Sequence, residues 1–316
     1  MLWGITSYFN PVGYRRRRLN YRVFRERLQV PLIAVECSFG GGFELTPRDA
    51  DVLIQIREGD VMWQKERLLN VALQALPPEC TAVAWLDSDV VFRDDDWPGR
   101  AMTALQDAAI VHLFRERYHP PKDACSIELD TVCPGPAAIS SVHLIHSGQH
   151  QPSLLEQAGL HSGWTNGLAW AGRRDVLERH GLYDACIVGS GDRALLCAAF
   201  GCFEALGRVL QLDRPRYDHY LSWARPFHDA VRNRVSAIDG AVFHLWHGEL
   251  SDRHYSARHR DMASLNFNPY TDLSCTRSGS WQWCSDKPEL HTHVLNYFRA
   301  RNEDGEPLSH DGLAAD

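Results

Sequence analysis

The stretch Ala82-Val83-Ala84-Trp85-Leu86-Asp87-Ser88-Asp89-Val90-Val91-Phe92 limits the possible folds of this chain more than any other. Five apolar residues run into two aspartates separated by one serine, and apolar residues follow. A continuous apolar run of this kind reads as a buried strand of a parallel sheet. In open α/β sheets the ligand site lies outside the carboxyl ends of the strands. Asp87 and Asp89 therefore stand where a site belongs. Residues i and i+2 of an extended chain point the same way. Two carboxylates side by side repel, and a divalent cation relieves the repulsion. Mg²⁺ and Mn²⁺ take such hard oxygen ligands and bridge to substrate phosphates. The structural alternative is a strand that ends in a solvated turn with an Asx cap.

The elements before this stretch fit a nucleotide-binding α/β half. Strands are expected at Leu2 to Tyr8, Pro31 to Cys37 and Asp51 to Ile56, and helices at Arg15 to Leu28 and Trp63 to Ala75. Leu68, Leu69, Ala72 and Leu73 form the apolar stripe of the second helix, which Pro77-Pro78 stops. That alternation implies a mostly parallel sheet. The run Arg15-Arg16-Arg17-Arg18 reads either as a phosphate or membrane-surface patch or as a solvated helix face. The glycines Gly40-Gly41-Gly42 match neither a dinucleotide fingerprint nor a P-loop.

After Phe92 a helix to Asp107 and a strand at Ala109 to Phe114 are expected. From Arg115 to Gly159 the chain holds Pro120-Pro121, Pro134-Gly135-Pro136 and several histidines, the composition of a functional loop. Structure resumes at Gly163-Trp164-Thr165-Asn166-Gly167. A helix from Arg173 ends at Gly181, and another starts at Gly189-Ser190-Gly191-Asp192. Asp192 reads as the N-cap of that helix, as a catalytic base, or as both. A strand from Ala241 runs to Phe243-His244-Leu245-Trp246-His247-Gly248. Residues three apart on a strand face opposite ways, so His244 and His247 meet one ion only if the strand ends or turns near Trp246. Gly248 permits such a turn.

Composition removes several classes. The 316 residues carry a net charge of −7 with a pI near 6.1, so no general nucleic-acid binder is expected. Nine cysteines include no C-x-x-C, which argues against a zinc knuckle or redox motif and for free thiols in a reducing compartment. No apolar run approaches the roughly 20 residues that span a bilayer. The N-terminal residues lack the pattern of a signal peptide, so a cytoplasmic enzyme without a transmembrane segment is expected.

Taken in order, these features resemble the GT-A glycosyltransferases, most closely the β-1,4-galactosyltransferase and family 2-like group. The segment Trp63-Gln64-Lys65-Glu66-Arg67-Leu68-Leu69-Asn70-Val71 is similar to that group's helix opening, and the Asp-x-Asp strand follows it. Asn166-Gly167 with Arg173-Arg174 and Gly181-Leu182-Tyr183-Asp184 resembles its acceptor-side segment. Gly189-Ser190-Gly191-Asp192 stands at its Gly-Gly-Glu-Asp run, and His244-Leu245-Trp246-His247 at its Met-x-x-His. Arg193 follows Asp192 where the group has further acids, and the Trp-Gly-Gly acceptor loop has no counterpart.

The resemblance implies a GT-A fold over residues 1–250, with a nucleotide-binding half at 1–92, an acceptor side at 93–250 and a C-terminal extension at 251–316. It implies transfer of a sugar from a nucleotide-sugar donor, UDP-linked by resemblance, to a hydroxyl of a glycan, protein or small molecule. Asp89, His247 and His244 are the expected ligands of Mn²⁺ or Mg²⁺, with the imidazoles favouring Mn²⁺. Asp192 is the expected base, which implies inversion. Thr6, Tyr8, Glu36, Arg57, Lys65, Asp87, Ser88, Trp164, Asn166 and Gly167 are the expected donor contacts. Each of the charged ones alone also reads as a surface residue, and Trp164 and Trp170 read either as platforms that stack on a sugar face or as core. The competing readings are a haloacid-dehalogenase-like or other metal-dependent phosphoryl enzyme, and a degenerate sugar-binding module without activity.

Overall fold

Strand β4 (Ala82–Leu86) lies in the middle of a seven-stranded sheet and is buried along its whole length. The computed structural model describes residues 1–122, 124, 135–156, 163–249, 251–253 and 257–305. From the N-terminus the chain runs through β1 (Leu2–Phe9), α1 (Arg15–Glu26), β2 (Leu32–Cys37), β3 (Val52–Ile56) and α2 (Lys65–Leu73) into β4. Then come β5 (Val90–Phe92), α3 (Trp97–Ala104), β6 (Ile110–His112), β7 (Glu116–Tyr118), β8 (Ala138–Ser140) and α4 (Ser141–His146). The centre of the chain holds β9 (Trp164–Thr165), β10 (Ala169–Arg173), α5 (Arg174–His180), α6 (Gly191–Ala199), α7 (Phe203–Val209) and α8 (Arg214–Val231). Last are β11 (Val235–Ala237), β12 (Ala241–His244), α9 (Ala257–Ser264), α10 (Pro269–Asp272), the hairpin β13 (Leu273–Cys275) and β14 (Trp281–Trp283), and α11 (Pro288–Ala300).

The large sheet has the order β11-β6-β10-β4-β1-β2-β3. Every pairing is parallel except those of β10, which runs antiparallel to β4 and β6. This is the mixed α/β architecture, mostly parallel, that the sequence pattern implies. Register places Trp170 of β10 directly opposite Trp85 of β4, and the two rings stack with centroids 6.1 Å apart. Trp170 is fully buried, so it belongs to the core and not to a sugar platform. Apolar residues fill both faces of the central strands, as a sheet covered on two sides requires.

The strand before the two aspartates ends where the sequence pattern places its carboxyl end, at Leu86, but the apolar residues after Asp89 belong to another sheet. The chain leaves the large sheet at Leu86, turns through Asp87-Ser88-Asp89, and enters a second sheet as β5. That sheet has the order β5-β12-β7-β8-β9. The turn is pinned by two backbone bonds: Asp87 N–H donates to Leu168 O at 2.8 Å, and Leu245 N–H donates to Asp89 O at 2.9 Å. The apolar run is continuous because both sheets are buried, which period alone does not reveal.

The segment from 115 to 159 contains β7, β8, α4 and a short 3-10 turn at Pro152–Glu156. The rest of it, at 123, 125–134 and 157–159, lies outside the described residues, as do Cys125, Cys133 and His254. So does the tail from 306, expected to fray. The cysteines among the described residues carry free thiols. No helix among the described residues is long and apolar enough to cross a membrane.

Candidate active site

Where the two sheets part, the ends of β1, β4 and β12 open into a cleft of about 390 Å³. Its lining includes Asp87, Ser88 and Asp89 from the turn, Lys65 and Glu66 from α2, and Asp192 from α6. His244 and His247 come from the end of β12. These residues come from distant parts of the sequence, and the fold brings them together.

At one end, Asp89, His244 and His247 converge, with one potential ligand atom each and all within 4.8 Å of one another. His247 Nε2 lies 3.2 Å from Asp89 Oδ2 and 3.0 Å from His244 Nε2. The strand stops at His244, so the next three residues turn and His247 comes round to the same side. Gly248 completes that turn at φ +91°, and a Cβ there would meet the Arg301 carbonyl at 2.6 Å. Burial, reinforced by the charge of Arg253, pulls His247 down to about 3. Burial and the neighbouring His247 push His244 the same way. Both imidazoles are therefore neutral, which is the form that binds a metal. Asp89 Oδ1 is buried and has no hydrogen-bond partner among the described residues. Burial, then the charge of Asp87, raises Asp89 to about 7. A raised carboxylate, an orphaned oxygen and two neutral imidazoles fit a divalent cation, which would supply the missing charge.

His247 is held from behind. Its Nδ1 lies 3.8 Å from Glu303 Oε1, while on the cleft side Arg253 Nη2 donates at 2.9 Å to Nε2, the same nitrogen that faces Asp89 and His244. Glu303 in turn accepts from Arg17 Nε at 2.6 Å and Arg301 Nε at 2.5 Å. Burial works against the Glu303 charge, but Arg17 and Arg301 outweigh it and hold the carboxyl well below the usual range. Arg17 of the four-arginine run is thus a structural clamp lining the cleft. The backbone N–H groups of Arg15 and Arg16 bind Asp304.

At the centre of the cleft, buried Lys65 bridges two carboxylates. Its Nζ lies 2.6 Å from Asp87 Oδ1 and 2.9 Å from Asp192 Oδ2. Burial alone would lower Lys65, but Asp192 and Asp87 more than compensate and hold it well above its ordinary value. Asp87 is accordingly turned toward Lys65 and is not part of the Asp89–His244–His247 group. The expectation that Asp87 and Asp89 point the same way fails, because the chain bends between them. Beneath the bridge sits Glu66, buried and raised to about 8, chiefly by burial and against the pull of Lys65.

Asp192 is not an N-cap. It is the second residue of α6, and the cap is Ser190, whose side chain makes no capping bond. The Asp192 carboxylate lies against Gly167, where a Cβ would approach Asp192 Oδ2 to 2.8 Å. Ser190 and Leu168 both adopt φ +87°. Left-handed backbone is costly for such residues, and it clusters at functional sites.

Trp164, Asn166, Gly167 and Ser88 line the same cleft. Thr6 is fully buried and is not among the residues that line the cleft; its hydroxyl donates to Leu86 O at 2.8 Å. Three further expected donor contacts also lie outside the cleft. Glu36 is under the loop after β2, accepting from Glu44 N–H at 2.5 Å and Gln55 Nε2 at 2.8 Å. Tyr8 donates to Glu44 Oε2 at 2.6 Å. Arg57 stacks over Phe43 at 4.2 Å and donates to Gly41 O. The loop over the ends of β2 and β3 engages all three. Glu66, Arg253, Arg258 and Glu303 are cleft residues that sequence reasoning passed over, and Arg17 is the one member of the four-arginine run that lines the cleft. A charged pair, Lys65-Glu66, at the start of an apolar-striped helix was the available signal for the first.

No family model matches the chain, and no curated protein does. Among solved structures it is similar to S. aureus TarS, at 12% identity and a TM-score of 0.42, covering 77% of this chain and 36% of that one. This chain thus spans about a third of that protein's length. It is similar to S. aureus TarS 1-349 in complex with UDP-GlcNAc, at 12% identity over 95% of this chain and 72% of that one, TM-score 0.43. It is also similar to a Drosophila β-1,4-galactosyltransferase 7 variant bound to manganese, UDP-Gal and xylobiose, at 12% identity over 62% and 59%, TM-score 0.30. Likeness at this level assigns no activity, and the functional reading rests on the cleft.

Proposed function

We propose that this chain is a metal-dependent glycosyltransferase that moves a hexosyl group from a nucleotide sugar, UDP-linked, to an acceptor hydroxyl. One observation carries the reading. A single cleft at the carboxyl end of the parallel strands holds the Asp89–His244–His247 ligand set and, beside it, Asp192 tied to Asp87 through Lys65. The order of motifs along the sequence supports the same class.

Glycosyl transfer builds negative charge on the departing diphosphate and oxocarbenium character on the sugar. A divalent cation at Asp89, His244 and His247, Mn²⁺ by the two imidazoles, supplies Lewis acidity to that diphosphate when bound. Arg253 adds a fixed positive charge beside the same ligands. Asp192 takes the proton of the attacking hydroxyl. The acceptor oxygen bonds to the anomeric carbon, and the bond to the diphosphate breaks with its electron pair staying on the diphosphate. A base facing the attack implies inversion. Lys65 places one ammonium between Asp192 and Asp87, in contact with both carboxylates. Asp87, Ser88, Asn166, Gly167 and Trp164 surround the sugar and ribose. Residues 1–92 serve the nucleotide and 93–250 the acceptor, and the C-terminal extension adds Arg253 and Glu303 to the cleft.

The test is a panel of nucleotide sugars incubated with the protein and Mn²⁺, with released nucleotide measured. Release from one UDP-sugar, abolished by EDTA, supports the reading and identifies the donor. No release from any of them, with no Mn²⁺-dependent UDP binding, removes it.

A further inference from the structure

Two groups have a claim on one nitrogen of His247. Its Nε2 belongs to the set of ligand atoms from Asp89, His244 and His247 that lie within 4.8 Å of one another. The same Nε2 accepts a hydrogen bond from Arg253 Nη2 at 2.9 Å. A neutral imidazole has one nitrogen that carries a proton and one that carries a single in-plane lone pair. A guanidinium only donates, so the lone pair is on Nε2. The proton is then on Nδ1, which faces Glu303 Oε1 at 3.8 Å. That one lone pair serves either a guanidinium or a metal cation, and it cannot serve both at once.

Charge leads to the same conclusion. Asp89 Oδ2 stands 3.2 Å and His244 Nε2 3.0 Å from His247 Nε2, so acceptor atoms crowd this point. Arg253 is buried, at 6% exposed, and water screens its charge little. Its guanidinium meets the need of a carboxylate and two imidazoles for a positive partner. A divalent cation at the same atoms makes that charge redundant and repels it. Arg253 also lines the cleft. The diphosphate that the proposed reaction brings to the cation has oxygens that a guanidinium fork matches.

Resting on the metal-dependent reading above, we propose that Arg253 competes with the divalent cation for His247, and that cation binding passes its guanidinium to the diphosphate of the donor. Arg253 then opposes cation binding without the donor and favours donor binding with the cation. Metal and nucleotide are thereby coupled, each binding more tightly when the other is bound.

The experiment titrates Mn²⁺ by calorimetry into wild type, Arg253→Met and Arg253→Gln, first without nucleotide and then with saturating UDP. Removal of this side chain is expected to improve Mn²⁺ binding. Without UDP the affinity rises at least threefold in Arg253→Met, and less in Arg253→Gln, which keeps a hydrogen-bond donor but no charge. The gain in Mn²⁺ affinity that UDP confers is expected to shrink at least tenfold in both variants. Mn²⁺ affinity without UDP that is unchanged or lower in both variants overturns the proposal, and so does an undiminished effect of UDP. A merely structural arginine would lower both affinities. If neither variant folds, nitrogen-15 spectra of the wild type decide. The assigned Arg253 side-chain N–H signal is expected to move when Mg²⁺ is added without nucleotide, and a signal that stays in place overturns the proposal. Wild-type protein that binds no Mn²⁺, with or without UDP, removes the metal-dependent reading itself and this inference with it.

Discussion

Lys65 Nζ sits 2.9 Å from Asp192 Oδ2 and only 2.6 Å from Asp87 Oδ1, so one buried ammonium joins the proposed base to the first aspartate of the turn. The two carboxylates are 105 positions apart in sequence, and neither lies near the other without α2 between them. Replacing Lys65 leaves Asp87 and Asp192 facing one another with no cation between them. Breaking a buried charge group by removing one partner costs about 3–5 kcal/mol. Lys65→Met is therefore expected to lower the melting temperature sharply. Lys65→Arg keeps the charge, recovers most of the stability and still loses turnover, because a planar fork does not reproduce a point contact to both carboxylates. Thermal melts and nucleotide release on both variants check this.

Gly167 tests the position of Asp192 without touching its charge. A methyl group there would meet Asp192 Oδ2 at 2.8 Å. Gly167→Ala is expected to displace the carboxylate from Lys65 and reduce kcat by roughly tenfold to a hundredfold, in line with an ångström-scale misplacement. The position is at the cleft surface, so stability changes little. Steady-state kinetics with a melting curve separate the two effects.

The fold was legible in the sequence to the extent that buried strands announce themselves. The apolar runs at β1, β2 and β4, the stripe of α2 and the Gly181 stop of α5 all follow from local pattern. The change of sheet at Asp87 was hidden, because β5 is as apolar as β4 and no glycine or proline marks the turn. Helix α8 also escaped. Its buried residues Tyr220, Ala224, Phe227 and Val231 recur at helical spacing, but Pro226 and a dense run of arginines and histidines mask them. At the site, carboxylates and imidazoles at strand ends were visible from sequence. Of the cations, Lys65 and the four-arginine run holding Arg17 were visible, while Arg253 and Arg258 reach the cleft through long side chains from segments with no motif. Glu36, Tyr8 and Arg57 lie outside the cleft lining for a related reason, since a loop with no readable pattern engages their side chains.

Glu66 makes stability depend on pH. Its folded-state value is near 8, above the ordinary carboxylate value, so the native state holds a proton that the unfolded chain has lost. Stability is then greatest below the unfolded value and declines as pH rises from about 4.5 toward 8. Glu66→Gln mimics the protonated form. It is expected to flatten this decline and to melt higher than wild type at pH 8, by an amount on the order of 1–2 kcal/mol. Equal slopes of stability against pH in the two proteins would count against the assignment.

Glu303 connects the C-terminal segment to the proposed metal. It receives Arg17 and Arg301 and stands 3.8 Å from His247 Nδ1. Residues that orient a ligating histidine typically change metal affinity by about 10–100-fold when removed. Glu303→Gln is expected to weaken Mn²⁺ binding within that range, measured by calorimetry, while Glu58→Gln, an exposed carboxylate on the far hairpin contact to Ser278, leaves it unchanged.

The most direct test of the central claim compares wild type with Asp89→Ala and Asp192→Asn in nucleotide release from UDP-sugars with Mn²⁺. The account predicts slow release by wild type. It predicts loss of both release and Mn²⁺-dependent UDP binding in Asp89→Ala. In Asp192→Asn, UDP binding should persist while transfer to any acceptor disappears. Release that is independent of Mn²⁺ and undiminished in Asp89→Ala would contradict it, as would wild-type protein that neither binds UDP nor cleaves any nucleotide sugar.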